Sequence, residues 1–316
     1  MKYSGIGGQA VMEGVMMKNK DRYAIAVRKP DNEIAVEVSD YSGIIKNRKI
    51  KEAPIIRGVL NFVDALVLGI STITYSASFF EEEEEDEKMR HLSEEEKKKK
   101  EEAQMRGVVV FSFVMAIALF MVLPYFLSQL FRRVIPSLTL LSLVEGVIRI
   151  LLFVGYILAI SQMEDIRRVF MYHGAEHKCI NCIENGMELT VENVRQSSRE
   201  HKRCGTSFLL YVLIISIVFF AFIRVDSRIL RVVLRVLLIP VIAGVSYEFI
   251  RLAGRSDNRF VNLLSKPGLL LQRLTTKEPD DSMIEVGIAS VEAVFDWKKY
   301  LQEYKLENEQ KVGNGL

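Results

Sequence analysis

Residues 107–131 read GVVVFSFVMAIALFMVLPYFLSQLF, a run without one charged side chain. An α-helix rises about 1.5 Å per residue, so a run of this length covers the ~30 Å hydrocarbon core of a bilayer. Three further stretches share its character: 138–162, 206–223 and about 229–250. Lipid offers no partner to an unpaired N–H or C=O, so each of the four is expected to be a helix. The connections 132–137 and 224–228 are too short to hold domains, so the spans pair into two transmembrane hairpins, 107–162 and 206–250. The fold class that follows is mainly α and integral to a membrane, with about four transmembrane helices in two hairpins.

Orientation follows from the Lys/Arg content of the loops. The charged run 81–102 precedes the first span, and the middle loop 163–205 carries Arg167, Arg168, Lys178, Arg195, Arg199, Lys202 and Arg203. Arg251, Arg255 and Arg259 follow the last span. This places both termini and the middle loop in the cytoplasm, although Arg132, Arg133, Arg224 and Arg228 in the short outer loops pull the other way. Over 316 residues, Lys+Arg 42 and Asp+Glu 40 nearly cancel, and no basic stripe points to a nucleic-acid partner. Residues 1–20 hold no continuous apolar run, so no cleavable signal peptide is expected.

The remaining segments read as cytoplasmic or membrane-associated. Residues 1–54 are β-rich: RYAIAVR (22–28) and EIAVEV (33–38) flank the turn residues Pro30, Asp31 and Asn32, which predicts a β-hairpin. Upstream, GIGGQAVMEGVMM (5–17) offers one further strand. Its Gly-x-Gly-Gly start lacks the preceding strand and the spacing of a dinucleotide fingerprint. Residues 55–80 are apolar but broken by Arg57, Asn61, Asp64 and several Ser/Thr, as in an amphipathic surface helix or a re-entrant segment. A fifth crossing there would carry the β segment outside. Residues 81–106 read as a charged linker. In 251–316, Lys266-Pro-Gly marks the end of one element. Pro279 and the run Asp280 to Ser282 cap a helix over about 283–304, and a polar tail from Glu307 is expected to be disordered.

The chemistry is concentrated in the loop 163–205. Three of four histidines (His173, His177, His201) and all three cysteines (Cys179, Cys182, Cys204) fall between 173 and 204. A reducing cytoplasmic setting favours metal or thiol chemistry over disulfides. In YHGAEHKCINCIENG (172–186), His173 and His177 stand at i and i+4, so on a helix both imidazoles converge on one ion. Glu176 between them is the general base of the inverted zinc-hydrolase pattern His-x-x-Glu-His, within reach of a water on the metal. A competing assignment pairs Cys179-x-x-Cys182 with His201-x-x-Cys204 as a closed zinc ribbon. If residues 173–182 are one continuous helix, the two cysteines point away from the histidine pair, and a single ion collects only one subset. Thr190 is an expected N-cap of a short helix to about Arg199, with Gly186 as the turn before it. Inside the expected spans, Glu145 and Arg149 stand at i, i+4 and can pair within the bundle.

The runs GGQAVMEGVMM (7–17), YHGAEHK (172–178), ELTVENV (188–194), HKRCGTSF (201–208) and PGLLLQRLTTKEPD (267–280) resemble the YqhQ-type family of bacterial membrane proteins. That family is a domain of unknown function whose members carry the label of predicted metal-dependent enzymes. The resemblance spans nearly the whole chain and implies a multi-pass protein of the bacterial inner membrane. Its pattern falls on His173, Glu176, His177, His201 and Cys204, leaves Cys179 and Cys182 less dependable, and adds Glu13 as a candidate site residue.

The reading that results is a membrane-bound enzyme of hydrolytic type using a divalent metal, zinc by preference. His173 and His177 are its ligands, Cys204 or His201 completes the set, and Glu176 activates water. The juxtamembrane position suits membrane lipids or membrane proteins as substrate. The alternative is a scaffold or assembly factor clamped by a structural zinc site, and a third reading is a transporter built on the intramembrane charges. A catalytic site keeps an open coordination position, whereas a clamp is closed by four protein ligands.

Overall fold

The computed structural model describes residues 3–45, 50, 53–80, 94–223, 225, 227–254, 256 and 258–313; the acidic part of the linker (81–93), Arg224 and Arg255 lie outside them. The strands are β1 (Ile6–Val11), β2 (Gly14–Asn19), β3 (Arg22–Arg28) and β4 (Ile34–Asp40). The helices are α1 (Ile56–Ala77), α2 (Glu94–Ile117, continued through a π-turn at Ala118–Val122 into Leu123–Gln129), α3 (Leu138–Ile160), α4 (Glu164–Glu184) and α5 (Val191–Gln196). They continue with α6 (Gly205–Ala221), α7 (Arg228–Ala253), α8 (Arg259–Thr275), α9 (Asp281–Val294) and α10 (Trp297–Gly313). The chain divides into two units, one formed by Met1–Phe80, Ile157–Val212 and Pro240–Leu316, the other by Glu81–Tyr156 and Leu213–Ile239.

In the first unit the strands form an antiparallel meander in the order β1-β2-β3-β4. The segment 5–17 thus supplies two strands rather than one, folded at Met12 and Glu13, with Val11 opposite Gly14. Successive strand residues point to opposite faces. Val15, Met17 and Ala26 enter a core with Tyr172, Ala175 and Cys179 of α4 and Met283, Ile284 and Val286 of α9. Val11, Met16, Ile25 and Val27 face the other way and meet Leu68 of α1. Both faces of β2 and β3 are covered, which is why VMM and AIAV read as unbroken apolar runs instead of alternating.

In the second unit α2 passes through its π-turn just before a proline. Pro124 has no N–H to offer the carbonyl of Phe120, four residues earlier. That carbonyl accepts instead from Arg149 Nε at 2.7 Å. Arg149 and Arg235 both donate to Glu145 Oε1, each at 2.7 Å, and Arg149 also reaches Ser216 Oγ at 3.0 Å.

Among the described residues, four helices are long and apolar enough to cross a membrane: Ile56–Ala77, Ala103–Gln129, Leu138–Ile160 and Ile229–Ala253. The set differs from the sequence expectation by exchanging one member. The third expected span is a shorter apolar helix, Gly205–Ala221, and the segment 55–80 takes its place. The basic end of the linker is helical and continuous with the first apolar run. Lys266-Pro-Gly does not end an element, because α8 passes through Pro267 while Tyr211 Oη donates to the carbonyls of Leu264 and Ser265. The expected helix 283–304 is two helices: Phe295 is extended, and Asp296 Oδ1 caps the second by accepting from Lys299 N at 3.0 Å. That second helix reaches Gly313, into the region expected to be disordered.

Candidate metal centre

Helix α4 is continuous from Glu164 to Glu184 and therefore separates its functional residues by face. Its acidic first turn (Glu164, Asp165) complements the helix dipole. It ends in a Schellman motif at Gly186, φ +80°, where Gly186 N bonds Ile183 O and Met187 N bonds Cys182 O. One face puts Cys179 and Cys182 into the core. Burial pushes the Cys179 thiol well up and the Cys182 thiol to about 11, so both are neutral packing groups at ordinary pH. Cys182 Sγ points to Glu188 O at 3.3 Å.

Another face carries His173, Glu176 and His177. A donor atom from each of His173, His177 and Cys204 lies within 4.8 Å of the others, and His173 Nε2 stands 3.3 Å from Cys204 Sγ. Tetrahedral Zn–N and Zn–S bonds of ~2.0–2.3 Å separate neighbouring ligand atoms by about 3.3–3.6 Å. His173 Nδ1 lies 2.9 Å from Thr275 O, and His177 Nδ1 lies 2.6 Å from Arg199 O. A carbonyl only accepts, so each Nδ1 carries a hydrogen and each Nε2 is left to face the sulfur. Burial opposes charge on His173, but the Cys204 sulfur outweighs it and holds the imidazole up at about 9. Burial likewise opposes the Cys204 thiolate, yet the two histidines hold that thiol well below its usual range.

Polar residues of the same helix bring the second half of the motif to the first. Lys178 Nζ donates to Arg195 O at 2.8 Å and Ser197 O at 3.0 Å, and Asn181 Nδ2 to Ser198 O at 2.6 Å and Glu200 O at 3.0 Å. Thr190 caps α5, accepting from Asn193 N at 3.3 Å, so the chain turns back here as the sequence suggested. Gly174 admits the segment after α8: a Cβ there would collide with Lys277 O, and Lys277 N bonds Phe170 O at 2.8 Å. That close approach is what delivers Thr275 O to His173.

Glu176 is buried, makes no hydrogen bond among the described residues, and stands 3.9 Å from His173 Nε2. It lines a cavity of about 960 Å³ together with His173, His177 and Cys204. His201 also lines the cavity but does not join the three donor atoms. Its Nε2 faces Glu184 Oε2 at 3.7 Å, and Gln272 clamps its backbone by accepting from His201 N and donating to His201 O. Burial acts on Glu184 against its charge, but His201, Arg203 and Ser4 together pull the carboxyl down to about 2. Glu13 turns away from this group: its carboxylate pairs with Arg168 and accepts from Tyr172 Oη at 3.2 Å.

Sequence reading missed Thr275, Gln272, Glu184 and the carbonyl of Arg199. Gln272 and Thr275 lie inside the 267–280 run, so they were visible as a pattern without a role. A carbonyl that orients a ligand leaves no residue-type signal at all.

A family model described as a protein of unknown function (DUF1385) matches residues 53–297. The uncharacterized protein YqhQ of Bacillus subtilis (strain 168) is 38% identical over 286 residues, covering 90% of each chain. No solved structure matches.

Proposed function

The chain belongs to the DUF1385 family of proteins of unknown function, and from that premise we propose that it is a membrane-bound, metal-dependent enzyme of hydrolytic type. The observation that carries the reading is a three-donor set, His173, His177 and Cys204, whose histidine tautomers are locked from behind and which opens onto a cavity. A structural zinc site uses four protein ligands; a catalytic one uses three and leaves a position for water or substrate. Such an ion, when bound, supplies a Lewis acid that acidifies water and polarises an acyl or phosphoryl oxygen.

The protein's own residues do the rest. Glu176, a buried carboxylate without a hydrogen bond among the described residues, accepts the proton of the attacking water at its free oxygen. The water oxygen bonds to the electrophile, the ester or amide bond breaks, and the proton on Glu176 passes to the leaving group. His201 and Glu184 act as positioning residues that fix the loop delivering Cys204.

Metal analysis of the purified full chain tests this directly. Expected is about one equivalent of a divalent ion, zinc by preference, with an absorption-edge spectrum showing two nitrogens and one sulfur from protein plus one light non-protein ligand. A filled shell of four protein ligands would establish the structural clamp instead.

A further inference from the structure

The three donors occupy only part of the cavity, and one of its walls is built inside out. The side of α1 that packs on its own unit carries Gly58, Leu68, Gly69, Thr72 and Ser76, four small or polar residues and one leucine. Its polar groups are used: Gln9 Nε2 donates to Thr72 Oγ1 at 2.6 Å, Met12 N to Ser76 Oγ at 3.0 Å and Ile44 N to Asp64 Oδ1 at 2.8 Å. Ile56, Val63, Val67 and Ile73 face outward and are 38–50% exposed. A helix bathed in water places its apolar stripe inward. In lipid the order reverses, because small residues let elements close up and aliphatic side chains meet acyl chains.

The neighbour at the start of α1 agrees. A Cβ on Gly58 would lie 2.8 Å from Tyr247 Cβ and 2.9 Å from Gly244 Cα, so α1 crosses α7 at a glycine–glycine contact. Gly244 is nine residues (253 − 244), about 14 Å of helix, before the end of α7, a helix apolar and long enough to span a bilayer. Through Leu60, Asn61, Ala65 and Leu68 the same helix lines the cavity. One helix thus has a lipid-type surface outside and the cavity inside.

The cavity also offers cationic partners. Arg57 and Arg203, which line it, are paired with Glu248 and Glu184, while Lys18, Lys20 and Arg251 line it beside the carboxylates of Asp21, Asp64 and Glu176. Those three side chains, with a divalent ion added at the three donors, favour an anionic ligand.

We propose that the substrate is a membrane amphiphile with a phosphorylated head group. It enters sideways from the bilayer past α1, sets its head among the Lys/Arg side chains beside the His/Cys donors, and leaves its chain along α1. This rests on the metal-dependent reading for what happens to the head group, but not for its binding.

The test uses the purified full chain in nanodiscs, with cobalt(II) added as a spectroscopic probe of the metal centre. Dodecyl phosphate, inorganic phosphate and dodecyltrimethylammonium are titrated separately while the visible spectrum is followed, and calorimetry records binding of each in parallel. Dodecyl phosphate is expected to perturb the spectrum at a concentration at least ~100-fold below inorganic phosphate, the gain from burying about three or four methylene groups. Arg251→Gln is expected to weaken that binding roughly tenfold, the scale of one charge-assisted contact, with cobalt uptake unchanged. A bimane placed on Val67→Cys is expected to be quenched by brominated lipid. Equal midpoints for the two phosphates would make the ligand a water-soluble phosphate and overturn the proposal. Equally tight dodecyltrimethylammonium would overturn the anionic head, and an unquenched bimane would overturn lateral entry. Failure of cobalt uptake would sink the metal reading alone, since calorimetry still decides the substrate class.

Discussion

Each unit of this protein buries one cluster of polar side chains, and the two clusters differ in how completely they satisfy themselves. Around Glu145 the charges answer one another. Two guanidinium groups share one carboxylate oxygen, Ser216 and the Phe120 carbonyl take further hydrogens, and both arginines lie over the Phe220 ring at 5.0–5.1 Å. Only Arg235 Nε is left without a partner. Around His173 the arrangement differs: two imidazole Nε2 atoms and a sulfur face one another, and the neighbouring carboxylate of Glu176 makes no hydrogen bond among the described residues. A cluster that is closed on itself holds helices together. One that turns three donor atoms toward a single point has the arrangement a cation site requires. The Glu145, Arg149 and Arg235 charges that a transport reading would use are already paired with one another.

Substitutions should break the two clusters in different ways. The largest effect is expected at His177→Ala, which removes one of three ligands and should strip nearly all bound metal, together with any complementation of a deletion strain. Next comes Glu176→Gln. It keeps shape and metal but removes the basic oxygen, so turnover should fall ~10²–10⁴-fold with folded yield unchanged. Full complementation by Glu176→Gln beside failure of His177→Ala would turn the centre into a clamp. In the other cluster, Glu145→Ala leaves two buried cations unanswered and should cost about 3–5 kcal/mol of stability in a thermal or denaturant melt, with metal content untouched. A Glu145→Ala protein that melts normally but loses function would reopen the transport reading.

Much of this was legible in the sequence, and the gaps have physical causes. The pairing of His173 with His177 follows from helix periodicity alone, and the placement of Cys179 and Cys182 on another face follows once α4 is continuous. Choosing between His201 and Cys204 was not possible, because that depends on where a loop lands, and the loop is fixed by main-chain carbonyls at Arg195, Ser197, Ser198 and Glu200. The same limit applies at Pro267, which usually ends a helix: α8 continues through it, with Tyr211 bonded to the nearby carbonyls of Leu264 and Ser265. The segment 55–80 reads as interrupted because some of its polar residues, Thr72 and Ser76 among them, are buried on the protein side while Asn61, Ser71 and Thr74 are exposed. Judged by hydrophobic pattern, such a helix looks polar on its inner side, whereas an ordinary amphipathic helix is polar on its outer side.

A smaller effect separates the two kinds of cysteine. Cys179 packs against Gly287, 2.9 Å from where a Cβ would stand, and Cys179→Ser buries a hydroxyl in an apolar site. A loss of about 1–3 kcal/mol is expected by melting, with the metal retained. Cys204→Ser should do the reverse, releasing metal at little cost to the fold. Metal loss from Cys179→Ser would bring the ribbon ligand set back.

The smallest effect is expected at Glu13, where family resemblance and structure point in different directions. The residue sits at φ 48°, in the left-handed region where glycine or asparagine is cheaper, at the β1–β2 turn. Something must offset that strain, and the carboxylate does so by bridging Arg168 and Tyr172, which ties the hairpin to α4 one residue before His173. Glu13→Gln keeps the backbone geometry and one acceptor but removes the charge. Arg168 is partly exposed, so water takes up much of the loss. The expected cost is therefore below ~1 kcal/mol, with metal content and complementation intact. Glu13→Gly relaxes the turn while deleting the bridge, and should fall within ~1 kcal/mol of it. If Glu13→Gln abolishes complementation while metal and melting temperature stay put, Glu13 touches substrate, and the clamp assigned to it is wrong.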